Sequence, residues 1–317
     1  MGIDGSAKQR ILVVSWGLLG DTIMCTPALR ALRKGLPQAH LAFSCHAQWA
    51  GLFQDPSHID ELIPVHRRNW KGLRGWFKRI RDLDALARRG WDVVLDFGGG
   101  GDVRRFLDRM PGVVVAGSHP RRERAILTPS REWVHQSDRC LEAARLVGGQ
   151  GEDRSYQLAG HLAASRQRQP GQARRIAINP GAGDSKKRWP AERFRAVAVH
   201  LRECYDAEII VLWGPGEREI AEGIVGKDSE LAPPTTPLEL AGLLSSVDLL
   251  ISGDSGPMHL AAGLGCPLVA LFSTADPAVY LPPGNTLLVR HKGRIDLGGM
   301  PVESVIEAVE AMRGALK

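Results

Sequence analysis

The residues with the clearest chemical signal form the run Ser252-Gly-Asp-Ser-Gly-Pro-Met-His259. The run follows the apolar segment 247–251 and precedes a helical pattern, which predicts a buried strand, a tight turn and a helix. Glycine lets the backbone approach a ligand closely, and the N-terminus of a helix offers unpaired N–H groups and partial positive charge. Asp254, Ser255 and Gly256 are therefore candidates for a phosphate-binding turn.

A second loop, Asn179-Pro-Gly-Ala-Gly-Asp-Ser-Lys-Lys-Arg-Trp-Pro190, also lies between a predicted strand and a predicted helix. Gly183 permits close approach of a ligand, and Lys186 and Lys187 supply cations for phosphate oxygens. The alternative is a solvated basic loop that ends in a hydrophobic staple at the start of the helix. We favour phosphate binding, because this loop should lie beside the turn described above.

Two further side chains are weaker candidates for the same ligand. Glu217 in Trp213-Gly-Pro-Gly-Glu217 follows a predicted strand, where a carboxylate can accept hydrogen bonds from ribose hydroxyls. The alternative role of Glu217 is to favour the N-terminus of a helix. His259, in the first helical turn, can donate to a phosphate, although a lone histidine is more often simply a buried residue.

The first half of the chain contains a candidate general base. Gly17-Leu-Leu-Gly-Asp21 follows the apolar strand pattern 11–14. A carboxylate in the turn after a strand can accept a proton from a bound hydroxyl, so Asp21 is a candidate base and Gly20 a candidate acceptor-binding residue. The alternative is that Asp21 only caps the following helix. The run lacks the third glycine of a dinucleotide fingerprint, which disfavours an NAD-linked oxidoreductase.

Alternating strands and helices must position these residues in both halves of the chain. The predicted strands are 11–14, 40–44, 91–96, 176–179, 208–213, 247–251 and 267–272. Their alternation with helical patterns predicts an α/β protein with parallel sheets covered on both faces. The polar segment 165–175 is typical of an interdomain linker. We therefore predict two Rossmann-like, doubly wound domains, 1–165 and 166–300, that face a central cleft, followed by a helix within 301–317.

The first half is also strongly basic. Residues 66–89 combine many Lys and Arg residues with aromatic residues, a pattern typical of a basic amphipathic helix. Such a stretch can receive an anionic acceptor or lie on an anionic membrane surface, and a solvated helix face is the alternative. The candidate acceptor-binding arginines are Arg67, Arg68, Arg104 and Arg121. Nucleic acid is disfavoured as a partner, because no recognised nucleic-acid module appears.

Composition sets further bounds on function. The 317 residues carry a formal net charge of +6, which favours anionic ligands. No segment approaches the roughly 20 apolar residues that span a bilayer, and the N-terminus lacks the apolar core of a signal peptide. The five cysteines are scattered, without the spacing of a metal site. We expect reduced thiols in a cytoplasmic protein.

Several segments together resemble glycosyltransferase family 9, the lipopolysaccharide heptosyltransferases. The segments that carry the resemblance are Leu19-Gly-Asp21 with Thr26-Pro-Ala-Leu-Arg-Ala-Leu32, Lys187-Arg-Trp-Pro190, Trp213-Gly-Pro-Gly-Glu217, and Asp254-Ser-Gly-Pro-Met-His-Leu-Ala-Ala262 with Pro267-Leu-Val-Ala-Leu-Phe272. The resemblance implies a GT-B fold, with the acceptor on the first domain and a nucleotide-sugar on the second. It also implies a C-terminal helix, within 301–317, that packs back on the first domain.

The resemblance further implies an inverting, metal-independent transfer of heptose from ADP-L-glycero-D-manno-heptose to a lipopolysaccharide inner-core acceptor, an anionic glycolipid. It therefore implies no metal and no cofactor, and a protein that works in the cytoplasm or peripherally on the inner leaflet of the inner membrane. Asp21 would be the general base, Lys187 would stabilise the leaving diphosphate, and Glu217 would hold the ribose. The turn 254–256 would bring N–H groups to the phosphates, with His259 nearby. The alternatives are a GT-B enzyme with another nucleotide-sugar donor, a nucleotide-sugar epimerase, and a non-catalytic protein that binds a nucleotide or glycan.

Overall fold

The structure is a computed structural model that describes residues 9–54, 57–98, 100–110, 114–117, 135–162, 173–227, 229–291 and 296–312. The chain divides into two compact units, Met1–Ala159 and Gly160–Lys317. The predicted domain limit at 165 falls within 163–172, outside the described residues, so that limit stays a prediction.

The first unit is built on a five-stranded parallel sheet. Its strands are β1 (Arg10–Ser15), β2 (His40–His46), β3 (Glu61–Val65), β4 (Val93–Asp96) and β5 (Val114–Gly117). Its helices are α1 (Leu19–Met24), α2 (Thr26–Gly35), α3 (Gly72–Ala87), α4 (Gly101–Leu107) and α5 (Gln136–Leu146), with 3₁₀ turns at Ala50–Phe53 and Arg67–Trp70. All strand pairs are parallel, in the order β3-β2-β1-β4-β5. The continuous apolar runs of the central strands are buried, as a sheet covered on both faces requires.

The second unit is built on a six-stranded parallel sheet. Its strands are β6 (Arg175–Asn179), β7 (Glu208–Val211), β8 (Glu230–Leu231), β9 (Leu249–Gly253), β10 (Leu268–Phe272) and β11 (Thr286–Arg290). Its helices are α6 (Ala191–Tyr205), α7 (Arg218–Glu222), α8 (Pro237–Ser245), α9 (Gly256–Gly263), α10 (Pro277–Tyr280) and α11 (Val302–Ala311), with 3₁₀ turns at Gly160–Leu162 and Ser185–Lys187. The strand order is β11-β10-β9-β6-β7-β8, with every pair parallel.

Both strand orders are doubly wound, which confirms the predicted fold class. Successive strands are added on one side of β1 up to β3 and on its other side from β4, and the same change of side occurs between β6 and β9 in the second sheet. Open α/β sheets bind their ligands at such switch points, beyond the carboxyl ends of the strands. A ligand-binding site is therefore expected in the loops that follow these four strands.

The C-terminal helix packs within the second unit. The apolar face of α11 buries Val305 and Val309, and the helix contacts α6, β10 and β11. His200 Nε2 on α6 and Glu310 Oε1 on α11 lie 3.1 Å apart. The expected packing of 301–317 on the first domain stays a prediction, and residues 313–317 lie outside the described residues. No described helix is both long enough and apolar enough to cross a membrane.

Candidate functional site

A buried polar network joins the two loops at the switch point of the second unit. Asn179 ends β6 and Ser252 is its neighbour in β9. The Asn179 amide Nδ2, which has two hydrogens to donate, lies within hydrogen-bond distance of Ser252 Oγ (3.0 Å), Ser255 Oγ (3.0 Å) and the Gly181 carbonyl (3.2 Å). Asn179 and Ser252 are both buried, so these bonds fix the loop after β6 against the turn after β9. Both residues lie within the two loops identified from the sequence, but the sequence analysis assigned neither of them a role; a polar side chain at the end of an apolar strand was the available signal.

An ion pair joins the same two loops. Lys187 Nζ lies 2.6 Å from Asp254 Oδ2, with side-chain exposures of 31% and 11%. Asp184 caps the 3₁₀ turn that carries the lysine, because its Oδ1 accepts from Lys186 N at 3.0 Å. Gly253 permits this approach, since a Cβ there would meet the Lys187 carbonyl at 2.8 Å. An ammonium has three donors, so Lys187 is fixed in place and keeps donors for a ligand.

The turn Asp254–Gly256 leads into α9 as predicted. Ser255 is the extended N-cap residue of α9, and Gly256 is the first helical residue. His259 is 3% exposed, and its Nε2 lies 3.9 Å from Asp254 Oδ1. Asp254 therefore stands between Lys187 and His259. The half-buried N-terminus of α9 adds N–H groups and partial positive charge beside the lysine.

Glu217 lies against the loop after β6. It is the N-cap residue of α7, and its Oε2 accepts from Gly214 N at 3.0 Å. A Cβ on Gly181 would lie 2.1 Å from Glu217 Oε2, so the absence of a side chain at Gly181 makes room for this carboxylate. Within the described part of the chain, Glu217 Oε1 has no hydrogen-bond partner. Sequence reasoning chose Gly183 in this loop and missed Gly181.

The remaining predicted residues of this loop are exposed. A Cβ on Gly183 would meet nothing within 4 Å. Lys186 is exposed, and its ammonium has no ion-pair partner among the described residues. The hydrophobic staple named in the alternative interpretation is present, because Trp189 precedes the N-cap of α6 and packs edge-on against Phe194, with ring centroids 4.9 Å apart. Its presence does not decide whether the loop binds phosphate.

The sequence analysis placed Asp21 in the loop that follows β1. In the structure, Asp21 lies in the first turn of helix α1. The six-residue helix α1 starts two residues earlier, at Leu19. Asp21 is half-buried, and its Oδ2 accepts from Leu18 N at 3.4 Å, which is a weak form of the alternative capping role. Gly20 is buried in the same turn. The carboxylate stands at the carboxyl end of β1, next to the first switch point.

Buried thiols lie behind α1. Cys25 Sγ is 3.0 Å from the Asp21 carbonyl oxygen and 3.8 Å from Cys140 Sγ. Burial, followed by the hydrogen bond with Cys25, raises the pKa of Cys140. Burial, followed by the nearby Cys25, raises the pKa of Cys45 to about 12. Cys45 and Cys140 are therefore protonated thiols that pack as small apolar groups.

An arginine cluster lies beside the first switch point. Asp102 in α4 is within ion-pair distance of Arg67 (3.2 Å), Arg79 (3.4 Å) and Arg105 (3.4 Å). Arg67 Nη1 also donates to the Trp16 carbonyl at 2.6 Å, which ties the cluster to the end of β1. Three guanidinium groups share one carboxylate, so the cluster is net positive and suited to an anion. The sequence analysis named Arg67 as an acceptor-binding candidate but gave Arg79 and Arg105 no individual role.

The other predicted acceptor-binding arginines are exposed or lie outside the described residues. Arg104 is exposed on α4. The side chain of Arg68 and the whole of Arg121 lie outside the described residues. Among the residues the structure describes, no group of three or more His, Cys, Asp or Glu could hold a metal ion, and the expectation of a metal-free enzyme stays a prediction.

Two doubly wound units with parallel sheets, each with a candidate site at its switch point, are the components of a GT-B fold. Residues 129–290 match glycosyltransferase family 9 (heptosyltransferase), and the chain belongs to this family. The resemblance found in the sequence is thereby confirmed, and the protein is a glycosyltransferase.

Known relatives match the chain along nearly its full length. The lipopolysaccharide heptosyltransferase 1 of Escherichia coli K12 is 22% identical over 326 residues, covering 96% of this chain and 100% of the relative. The crystal structure of a family 9 glycosyltransferase from Veillonella parvula has a TM-score of 0.80 at 23% identity and 99% coverage of both chains. The E. coli heptosyltransferase WaaC with ADP-2-deoxy-2-fluoro heptose has a TM-score of 0.80 at 20% identity, covering 96% of this chain and 100% of that one. These structures support the fold.

Proposed function

We propose that this chain is an inverting heptosyltransferase that moves heptose from ADP-L-glycero-D-manno-heptose to a lipopolysaccharide inner-core acceptor. The observation that carries the proposal is the Lys187–Asp254 ion pair at the second switch point, beside the N-terminus of α9. Such a site suits a diphosphate, because a fixed cation lies next to the turn that begins α9, whose first N–H groups are unpaired within the helix. The relatives support a heptose donor, since their names are those of heptosyltransferases and one was solved with an ADP-heptose analogue.

The donor half of the reaction is assigned to the second unit. Lys187, the N–H groups at 254–256 and the exposed Lys186 would bind the diphosphate, with His259 supporting Asp254. Glu217 would accept from the ribose through its unpartnered Oε1, and Gly183 would leave room for the ligand. Negative charge grows on the diphosphate as the bond to the sugar breaks, and preorganised donors stabilise that charge.

The acceptor half is assigned to the first unit. Asp21 would take the proton of the acceptor hydroxyl while the hydroxyl oxygen attacks the anomeric carbon from the face opposite the diphosphate. One displacement of this kind inverts the anomeric centre. The arginine cluster at Asp102 would bind an acidic group of the acceptor, and Arg67 links that cluster to the strand that precedes Asp21. Gly20, Arg68, Arg104 and Arg121 keep the role of acceptor-binding candidates.

The acceptor is expected to be an anionic glycolipid, so we also propose peripheral contact with the cytoplasmic face of the inner membrane. The reaction should need no metal, because Lys187 and the N-terminus of α9 supply the positive charge that a divalent cation would otherwise provide.

A donor panel tests the proposal. Purified protein is given inner-core acceptor with ADP-heptose, ADP-glucose, UDP-N-acetylglucosamine or GDP-mannose, in EDTA, and the product is identified by mass and anomeric configuration. We expect an inverted heptosyl product and ADP release with ADP-heptose alone. Transfer from a UDP- or GDP-sugar, or an epimerised sugar without transfer, would overturn the donor assignment. Binding of ADP without turnover of any donor would make the protein a binding module.

A further inference from the structure

Three large apolar side chains are exposed on the first two turns of α3. Leu73 is 77% exposed, Trp76 44% and Phe77 61%. Their spacing places them on one face of the helix, and the rings of Trp76 and Phe77 touch edge-on with centroids 4.8 Å apart. Large apolar side chains clustered on the surface and rimmed by charge usually mark an interaction site. We call Leu73, Trp76 and Phe77 the α3 apolar patch.

The helix is held so that the patch stays exposed. Gly75 packs against the preceding 3₁₀ turn, where a Cβ would meet the Trp70 carbonyl carbon at 2.4 Å. Trp70 Nε1 donates to Asp82 Oδ2 at 2.9 Å, which ties the turn to the middle of α3. Leu83 and Leu86 bury the second half of the helix in the core of the first unit. The opposite face of α3 is thus fixed, and the patch is presented rigidly.

Basic side chains lie alongside the patch. Arg74, Lys78 and Arg81 follow at intervals of four and three residues, so they form a stripe beside the apolar face. Arg74 and Lys71 are exposed and have no ion-pair partner among the described residues. Lys78 shares Asp82 with Trp70, with an Nζ–Oδ2 distance of 3.0 Å. The surface therefore combines exposed aromatic side chains with an excess of positive charge.

We infer that the first half of α3 docks on an anionic lipid bilayer. Trp76, Phe77 and Leu73 enter the interface between headgroups and acyl chains, while Lys71 and Arg74 meet lipid phosphates. Charge favours this occupant over a second copy of the chain, because like-charged rims around two identical patches would repel each other.

The position of the patch fits a lipid-borne acceptor. The 3₁₀ turn Arg67–Trp70 leads directly into α3, and Arg67 bonds to the Trp16 carbonyl close to α1. The docking surface and the acceptor candidates therefore belong to one continuous segment of the first unit. The inference deepens the proposed function by naming its membrane contact, yet vesicle binding itself requires neither donor nor transfer.

Co-sedimentation with vesicles tests the inference. The full-length protein is mixed with vesicles of phosphatidylglycerol and phosphatidylethanolamine, or of phosphatidylcholine alone, over a range of salt concentrations. We expect preferential binding to the anionic vesicles that weakens with salt. The double variant Trp76→Ala, Phe77→Ala should lower the partition coefficient about tenfold or more, because two aromatic side chains no longer leave water. Arg74→Ala should lower it roughly fivefold and reduce the salt dependence.

Matched controls lie in the second unit. Leu238 on α8 is 46% exposed, and Lys227 is also exposed. Leu238→Ala and Lys227→Ala remove the same kinds of group elsewhere and should leave vesicle binding unchanged. Thermal unfolding checks that each variant is folded. We expect unchanged melting temperatures, because the altered side chains are exposed.

Several results would overturn the inference. Equal binding to neutral and anionic vesicles is one, and undiminished binding of the double aromatic variant is another. If sedimentation velocity shows a dimer that only the aromatic variant loses, while vesicle binding persists, the patch is a contact between copies. A protein that binds anionic vesicles but transfers no sugar would refute the proposed function and leave the docking surface in place.

Discussion

Replacing Gly181 with alanine should displace the Glu217 carboxylate while leaving the glutamate itself in the sequence. The new Cβ would lie 2.1 Å from Glu217 Oε2 and 2.4 Å from its Cδ, whereas an ordinary contact is 3.4–4 Å. The carboxylate must therefore move by more than an ångström, which breaks its 3.0 Å bond from Gly214 N and turns Oε1 away from its present position. Loss of one charged hydrogen bond to a ribose costs about 1.5–3 kcal/mol, so ADP should bind roughly ten- to a hundredfold more weakly.

Isothermal titration of ADP provides the measurement, and a double-mutant cycle separates the cause. Gly181→Ala combined with Glu217→Ala should bind ADP no worse than Glu217→Ala alone, because the clash has no target once the carboxylate is gone. Gly226→Ala is the matched control, since a Cβ there meets nothing within 4 Å and this exposed glycine has no part in the candidate site. Additive losses in the double variant, or ADP affinity of Gly181→Ala within about twofold of the unaltered protein, would refute the reasoning.

Three further predictions concern catalysis, acid stability and thiol reactivity. Lys187→Ala should lower kcat about a hundredfold or more but weaken ADP binding much less, because the ammonium acts mainly on charge that develops as the diphosphate leaves; an effect on KM alone would contradict this. Burial raises the pKa of Asp60, but the Leu41 N–H and the Arg33 guanidinium outweigh burial and hold that pKa below its ordinary value of 3.8. The resulting stabilisation is present above pH 3.8 and is lost as pH falls towards the lower folded-state pKa, so Arg33→Ala should flatten the acid limb of the unfolding free energy in urea titrations. Cys204 is the exposed thiol and the other four are buried, so a disulfide reagent should modify one thiol rapidly in the native protein and five after denaturation; a second fast thiol would be inconsistent with the packing.

The elements around the candidate donor site could be predicted from local patterns. An apolar run followed by Gly-Asp-Ser-Gly-Pro predicted β9 and the start of α9, and both are present. The staple before α6 was equally local, because Trp189 and Phe194 are close in sequence. In the first unit the short helix α1 was missed. Its six residues include Gly20, and a helix that short depends on its burial and not on its propensity.

Contacts between distant residues could not be predicted in detail. Lys187 and Asp254 are 67 residues apart, and the sequence analysis placed them in neighbouring loops because each loop follows a predicted strand. Their ion pair depends on side-chain packing that no spacing encodes. The fit of Glu217 against Gly181 depends in the same way on two loops that meet only in the fold. Arg79 was grouped with a basic stretch by composition alone, whereas the structure turns it inward to Asp102.

The central claim is that Asp21 in the first unit is the general base that deprotonates the acceptor hydroxyl, while the second unit binds the ADP-heptose donor. Its most direct test is the single-turnover rate of heptose transfer by Asp21→Asn at saturating ADP-heptose and acceptor, with donor affinity measured in parallel. We predict a rate at least about a hundredfold lower with an unchanged dissociation constant for the donor, because the amide cannot take the hydroxyl proton. A rate within about threefold of the unaltered enzyme would contradict the claim, since removing a general base typically costs far more.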